Sequence, residues 1–235
     1  MKLILENIQK SFGDKAVLRD ASYTFETGKI YGLLGRNGAG KTTLFNCINE
    51  DMKIDSGSIL AEDMGKIRPI VSDDIGYVLS TPVVPEFLTE REFIKFFMDI
   101  NKEKLHDPKS VDEYFELMSI APDDRDKLIK DYSHGMKNKV QMLVNFIASP
   151  GILLLDEPLT SFDVVVADEM KNLLKSIKSQ HIIIFSTHIM ELALDLCDDI
   201  VILNDGVLEE IDKSNLDNTA FKDKIIAALR GEEDA

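Results

Sequence analysis

Cysteine is scarce in this chain, and it lacks long apolar runs and any excess of basic charge. Its two cysteines, Cys47 and Cys197, each fall inside a helical pattern and show no metal spacing. Buried thiols are therefore expected, with no redox or zinc chemistry. No apolar stretch approaches the ~18 residues of a membrane span, and the opening MKLILENIQKSF has none of the long apolar region of a signal peptide, so the chain is expected in the cytoplasm. Asp and Glu outnumber Lys and Arg 42 to 27, a net charge of −15. A nucleic-acid footprint would need a basic face, so no nucleic-acid partner is expected. Repeats and low-complexity tracts are missing too. What remains is a chain of 235 residues, long enough for one large domain with a substantial core.

The most informative stretch is GRNGAGKTT, Gly35 to Thr43, between the apolar run KIYGLL and the helical-looking TTLFNCINE. It fits G-x-x-x-x-G-K-[ST] in the strand-then-helix context that this pattern requires. Gly35, Gly38 and Gly40 allow a tight turn in which consecutive N–H groups face inward, at the positive end of the next helix. With Arg36, Asn37 and Ala39 they form a cradle suited to polyphosphate. Lys41 is expected to reach the β- and γ-phosphates, the Thr42 hydroxyl to bind Mg²⁺, and Thr43 to support the α-phosphate.

Residues 2 to 32 read as antiparallel strands, with turns at Gly13-Asp14 and Thr27-Gly28. Residues 57–71 and 74–79 look like further short strands. From Pro82 to Ile147 apolar residues recur at helical spacing, among them Phe93, Phe97, Tyr114 and Phe115, which predicts an all-helical insert. Its last helix should begin near Ser133, whose side chain can cap it. GILLLD, HIIIFS and DIVILN are continuously apolar, as strands are when both faces of a parallel sheet are covered. A final helix is expected around 221–229, ahead of an acidic end.

GILLLDEP places Asp156 and Glu157 at the carboxyl end of a buried strand, where ligands sit in open α/β sheets. Two adjacent acids there call for a cation. Asp156 is placed to hold Mg²⁺ and Glu157 to orient and deprotonate an attacking water. Ser186-Thr187-His188 ends another apolar strand, where His188 can meet the γ-phosphate and that water.

Taken in order, the phosphate loop, Ser133-His134-Gly135-Met136-Lys137, LLLDEP, Thr160-Ser161-Phe162-Asp163 and Ser186-Thr187-His188 resemble the ATP-binding subunits of ABC transporters, to about residue 212. The resemblance implies an α/β fold: a P-loop NTPase (ABC ATPase) core with an antiparallel β subdomain and an inserted α-helical subdomain. It implies a single domain over 1–235, with the helical subdomain at about 82–148 and a helical tail at about 213–235. It also implies an adenine platform at Phe12, a signature including Ser133 and Gly135, a D-loop ending in Asp163, a Mg²⁺ site and base at Asp156 and Glu157, and a histidine switch at His188.

Two positions depart from the pattern. Ser80 stands where Gln or Glu usually contacts Mg²⁺ and water, and His134 stands where the first signature glycine is common. The function implied is an ATPase with ATP and Mg²⁺ as cofactors, driving export as single-domain ATPases of bacterial drug, bacteriocin and peptide exporters do. Its implied partners are permease subunits on separate chains and a second ATPase, identical or not, with the subunit lying on the inner face of the membrane. Two alternatives stand beside it: a soluble ABC ATPase acting on ribosomes or nucleic acid, and a degenerate subunit with weak hydrolysis.

Overall fold

A computed structural model describes residues 1–105, 107–160 and 162–211. Ser161 and the helix expected at 221–229 lie outside the described residues. The chain opens with β1 (Lys2–Phe12) and β2 (Lys15–Glu26), joined at Gly13, whose φ of 58° suits a tight turn. Then come β3 (Ile30–Leu34), α1 (Lys41–Ile48), β4 (Ser56–Asp63), β5 (Lys66–Pro69) and β6 (Ile75–Val78). The helical stretch follows as α2 (Glu90–Asn101), α3 (Val111–Leu117) and α4 (His134–Ala148). The chain continues through β7 (Ile152–Asp156), α5 (Val164–Ile177), β8 (Ile182–Thr187), α6 (Met190–Leu196), β9 (Asp199–Asn204) and β10 (Val207–Ile211).

These strands form one sheet in the order β5-β4-β1-β2-β10-β9-β3-β8-β7-β6. Its two ends are built differently. β5, β4, β1 and β2 pair antiparallel, whereas β9, β3, β8, β7 and β6 run parallel. The expectation of antiparallel strands through residue 32 is corrected at β3, which pairs parallel with β8 and β9. Its five residues are all buried, as befits a strand covered on both faces.

Alternation along the parallel strands splits the core in two. Leu153, Leu155, Ile183 and Phe185 join the helices on one face of the sheet. Ile152, Leu154, Ile182 and Ile184 pack with Phe45 and Ile48 of α1 and with Leu3 and Phe25 of the antiparallel end on the other. Cys47 and Cys197 are both buried. The carboxyl ends of β3, β7 and β8 therefore point Gly35, Asp156 and Thr187 toward one edge of the sheet.

Candidate functional site

Among the described residues four helices carry a side-chain cap, whereas α1 and the short α6 do not. Thr89, Ser110, Ser133 and Asp163 each accept a first-turn backbone N–H, opening α2, α3, α4 and α5. At the N-cap of α1 stands Gly40, left-handed at φ 107° and without a side-chain cap. A Cβ there would meet Val17 Cγ1 at 2.8 Å, so both space and φ demand glycine. The first-turn N–H groups of α1 are left to an acceptor from outside the helix, the electrostatics of an anion site.

Lys41 is buried. Its Nζ donates to Gly35 O at 2.7 Å and Arg36 O at 3.2 Å, and lies 3.9 Å from Glu157 Oε1. Burial pulls its pKa below the ordinary lysine value, against the opposing charges of Glu157 and Asp156. The Thr42 hydroxyl donates to Asp156 Oδ2 at 2.9 Å. Glu157 follows Asp156 in the left-handed region, φ 51°. His188 Nδ1 sits 3.0 and 3.2 Å from its two carboxylate oxygens. One carboxylate thus faces a lysine and an imidazole together.

Asn37, Gly38, Gly40, Lys41, Thr42, Thr43, Ser80, Asp156 and Glu157 line one cleft of about 260 Å³. A larger space of about 570 Å³ adjoins it, lined in part by Lys15, Val17, Arg36, Gly38 and Ala39. Phe12 is 49% exposed, with Lys10 Nζ 5.6 Å from its ring centre, and is not among the residues lining either space. Ser133, Gly135 and Asp163 are not brought to the phosphate loop. They line a separate cavity of about 220 Å³ with Glu90, Tyr132 and Phe162.

The donor set at the strand ends suits Mg²⁺. It consists of hard oxygens, the Thr42 and Ser80 hydroxyls and the Asp156 carboxylate, around one cleft. Among the described residues no three His, Cys, Asp or Glu side chains converge on a point. A Mg²⁺ here would complete its shell with phosphate oxygens and water, as this ion ordinarily does.

Two polar residues that sequence reasoning missed hold this region. Gln141, nearly buried on α4, donates through Nε2 to Leu79 O at 3.1 Å and accepts Val83 N–H at 3.0 Å, which pins the turn carrying Ser80. A glutamine among the apolar positions of α4 was its signal. Ser186 is fully buried. Its hydroxyl donates to Asp156 Oδ1 at 2.5 Å and accepts Glu157 N–H at 3.0 Å. It stood in the Ser-Thr-His triplet, overshadowed by His188.

The ABC transporter family model matches residues 18–160, more than half of the chain. The chain belongs to the ABC transporter family. It is an ABC transporter ATP-binding subunit and an ATPase. This ABC ATPase is 34% identical over 209 residues to an uncharacterised ABC transporter ATP-binding protein of Methanocaldococcus jannaschii, covering 87% of this chain and 75% of that one. It is 30% identical over 217 residues to the sulfate/thiosulfate import ATP-binding protein CysA of a Synechocystis species, covering 90% of this chain and 60% of the relative. The solved structure of an ATP-binding subunit of an ABC transporter shares the fold, with a TM-score of 0.81 at 22% identity over 98% of this chain and the whole of the other.

Proposed function

We propose that this ABC ATPase binds ATP with Mg²⁺ in the cleft at Gly35–Thr43, with Asp156 and Thr42 holding the metal, Ser80 at its rim, and Glu157 serving as base with His188 beside it. The observation that carries the reading is the uncapped, glycine-gated start of α1 facing two adjacent acids whose neighbours are Lys41 and His188. When bound, Mg²⁺ neutralises phosphate charge. The protein's own groups do the rest. Lys41, now turned onto loop carbonyls, exchanges them for phosphate oxygens, which are stronger acceptors. Glu157 takes a proton from water, and His188 Nδ1 orients that carboxylate.

Ser133, Gly135 and Asp163 lie in a different cavity from the loop. That separation supports a face-to-face pair, in which the signature of one copy closes on nucleotide held by the other. Because no helix among the described residues is long and apolar enough to cross a membrane, the membrane-spanning chain of such a transporter is a separate partner, with this subunit on the inner face of the membrane. Exposed Val83, Phe87, Phe96 and Ile100 on the helical stretch suit its docking. Export is the direction we propose, from the sequence resemblance; the import name of the Synechocystis relative favours the opposite one. The test is a mild-detergent pull-down, followed by substrate movement in vesicles rebuilt from the recovered chains. A polytopic membrane protein and outward movement are expected. Inward movement would reverse the direction, and ribosomal partners with no membrane chain would overturn the transporter reading. For the site itself, Lys41→Ala should weaken nucleotide binding about tenfold or more in a titration, the usual scale for losing a charged hydrogen-bond donor. An unchanged affinity would remove Lys41 from the site.

A further inference from the structure

Ser186 stands out because a buried hydroxyl needs partners, and both of its partners are the acids of the proposed site. β8 runs parallel to β7 with Ser186 directly opposite Asp156. In a strand whose other residues are Ile182, Ile183, Ile184, Phe185 and Thr187, all buried, an alanine or valine would fill position 186 without any polar demand. Instead the hydroxyl proton goes to Asp156 Oδ1 at 2.5 Å, and the oxygen accepts the backbone N–H of Glu157 at 3.0 Å. The second carboxylate oxygen of Asp156 takes the Thr42 hydroxyl at 2.9 Å. The carboxylate plane of Asp156 is therefore held from both sides, by β8 and by α1. The same serine anchors the residue where the backbone turns left-handed, Glu157 at φ 51°, a conformation that non-glycine residues rarely hold without such a tie.

We infer that Ser186 is a positioning residue that sets the Asp156 carboxylate for the metal and the Glu157 backbone for the base through one hydroxyl. This rests on the roles proposed above for Asp156 and Glu157. Without the hydroxyl, Asp156 keeps only the Thr42 tie and is freer to turn about its last side-chain bond, and the part-buried Glu157 N–H loses this acceptor. Both consequences fall on the steps that use the metal and the water. Nucleotide held by the loop alone is spared, because the Ser186 hydroxyl spends its hydrogen bonds on Asp156 and Glu157.

The test compares Ser186→Ala, Ser186→Thr and Glu157→Gln. A fluorescent ATP analogue is titrated against each, first in EDTA and then in excess Mg²⁺, and steady-state hydrolysis is measured beside it. For Ser186→Ala the EDTA affinity should match wild type, and the gain in affinity from Mg²⁺ should shrink about tenfold, the range found when a partner of a metal ligand is lost. kcat should fall by a similar factor, and KM for ATP in Mg²⁺ should rise with the weaker Mg²⁺-dependent binding. Ser186→Thr keeps the hydroxyl and should restore the Mg²⁺ gain. If the added methyl destabilises that variant, Ser186→Ala decides alone. A wild-type Mg²⁺ gain and kcat in Ser186→Ala, or equal weakening with and without Mg²⁺, would overturn the inference. Full turnover in Glu157→Gln would instead remove the reading on which it rests.

Discussion

The strand-end cluster and the helical stretch between Glu90 and Ala148 treat buried charge in opposite ways. At the strand ends every acid is tied: Asp156 to Thr42 and Ser186, and Glu157 to Ser186 and His188, near Lys41. In the helical stretch Glu90 is almost wholly buried at the start of α2, and its Oε1 accepts no hydrogen bond among the described residues. Its Oε2 meets the hydroxyl of Tyr132 at 3.0 Å, while that hydroxyl also lies 2.7 Å from Asp124 O. A tyrosine has one proton to give. A neutral Glu90 donating to Tyr132, which in turn donates to Asp124, satisfies the chain of contacts, and burial pushes the Glu90 pKa up to about 7. Acids are partnered where the proposed chemistry needs them. In the helical stretch burial favours the neutral form of Glu90.

The comparison breaks most visibly at Glu157. Glu157→Gln keeps its size and its backbone tie to Ser186, so ATP binding should persist while turnover falls roughly 10²- to 10⁴-fold, the scale of general-base catalysis. Single-turnover hydrolysis measures it, and an unchanged rate would put the proton transfer elsewhere.

A truncation in the other region should do the reverse. Phe115 is fully buried on α3, with the guanidiniums of Arg91 and Arg125 each 5.3 Å from its ring. Phe115→Ala should cost about 3–5 kcal/mol of stability. Metal-free nucleotide affinity should stay within about threefold in the fraction that remains folded, because Phe115 packs on one face of the sheet while Phe45 and Ile48 of α1, the helix after the loop, pack on the other. Chemical denaturation and a nucleotide titration check the two halves. A parallel loss of affinity would show that the two regions are not separable.

Protonation of Glu90 gives a smaller and pH-dependent effect. A free Glu ionises near 4.5, and the buried one near 7. Between those values the unfolded chain has released a proton that the folded chain keeps, so stability falls as pH rises through this window and levels off above it. Tyr132, Lys139, Asp124 and Arg125 are the polar and charged groups that act on it. Glu90→Gln keeps a donor for Tyr132 and cannot ionise. It should be about 1–3 kcal/mol more stable than wild type at pH 8, and equal to it near pH 4.5. Melting curves at the two pH values read this directly. The same difference at both would mean that Glu90 is charged in the folded chain and that the contrast between the regions is smaller than drawn.

Much of this protein was written along the chain. The glycines of the loop, the apolar runs that became β7, β8 and β9, and the cap at Ser133 are local, because φ, strand burial and N-capping depend on a residue and its near neighbours. Asp156, Glu157 and His188 were legible for the same reason, each standing at the end of an apolar run. Tertiary structure alone decided what lies many residues apart. β3 looked like one more strand of an antiparallel series, yet it pairs with β8 and β9 because both of its faces are covered by the fold. Phe12 is one hairpin turn from the large cleft without lining it. Gln141 grips a turn about sixty residues earlier in the chain, and Ser186 meets Asp156 only because β7 and β8 lie side by side in that register. A buried hydroxyl or amide finds its partner through three-dimensional neighbours, and that partner leaves no periodic signal in the sequence.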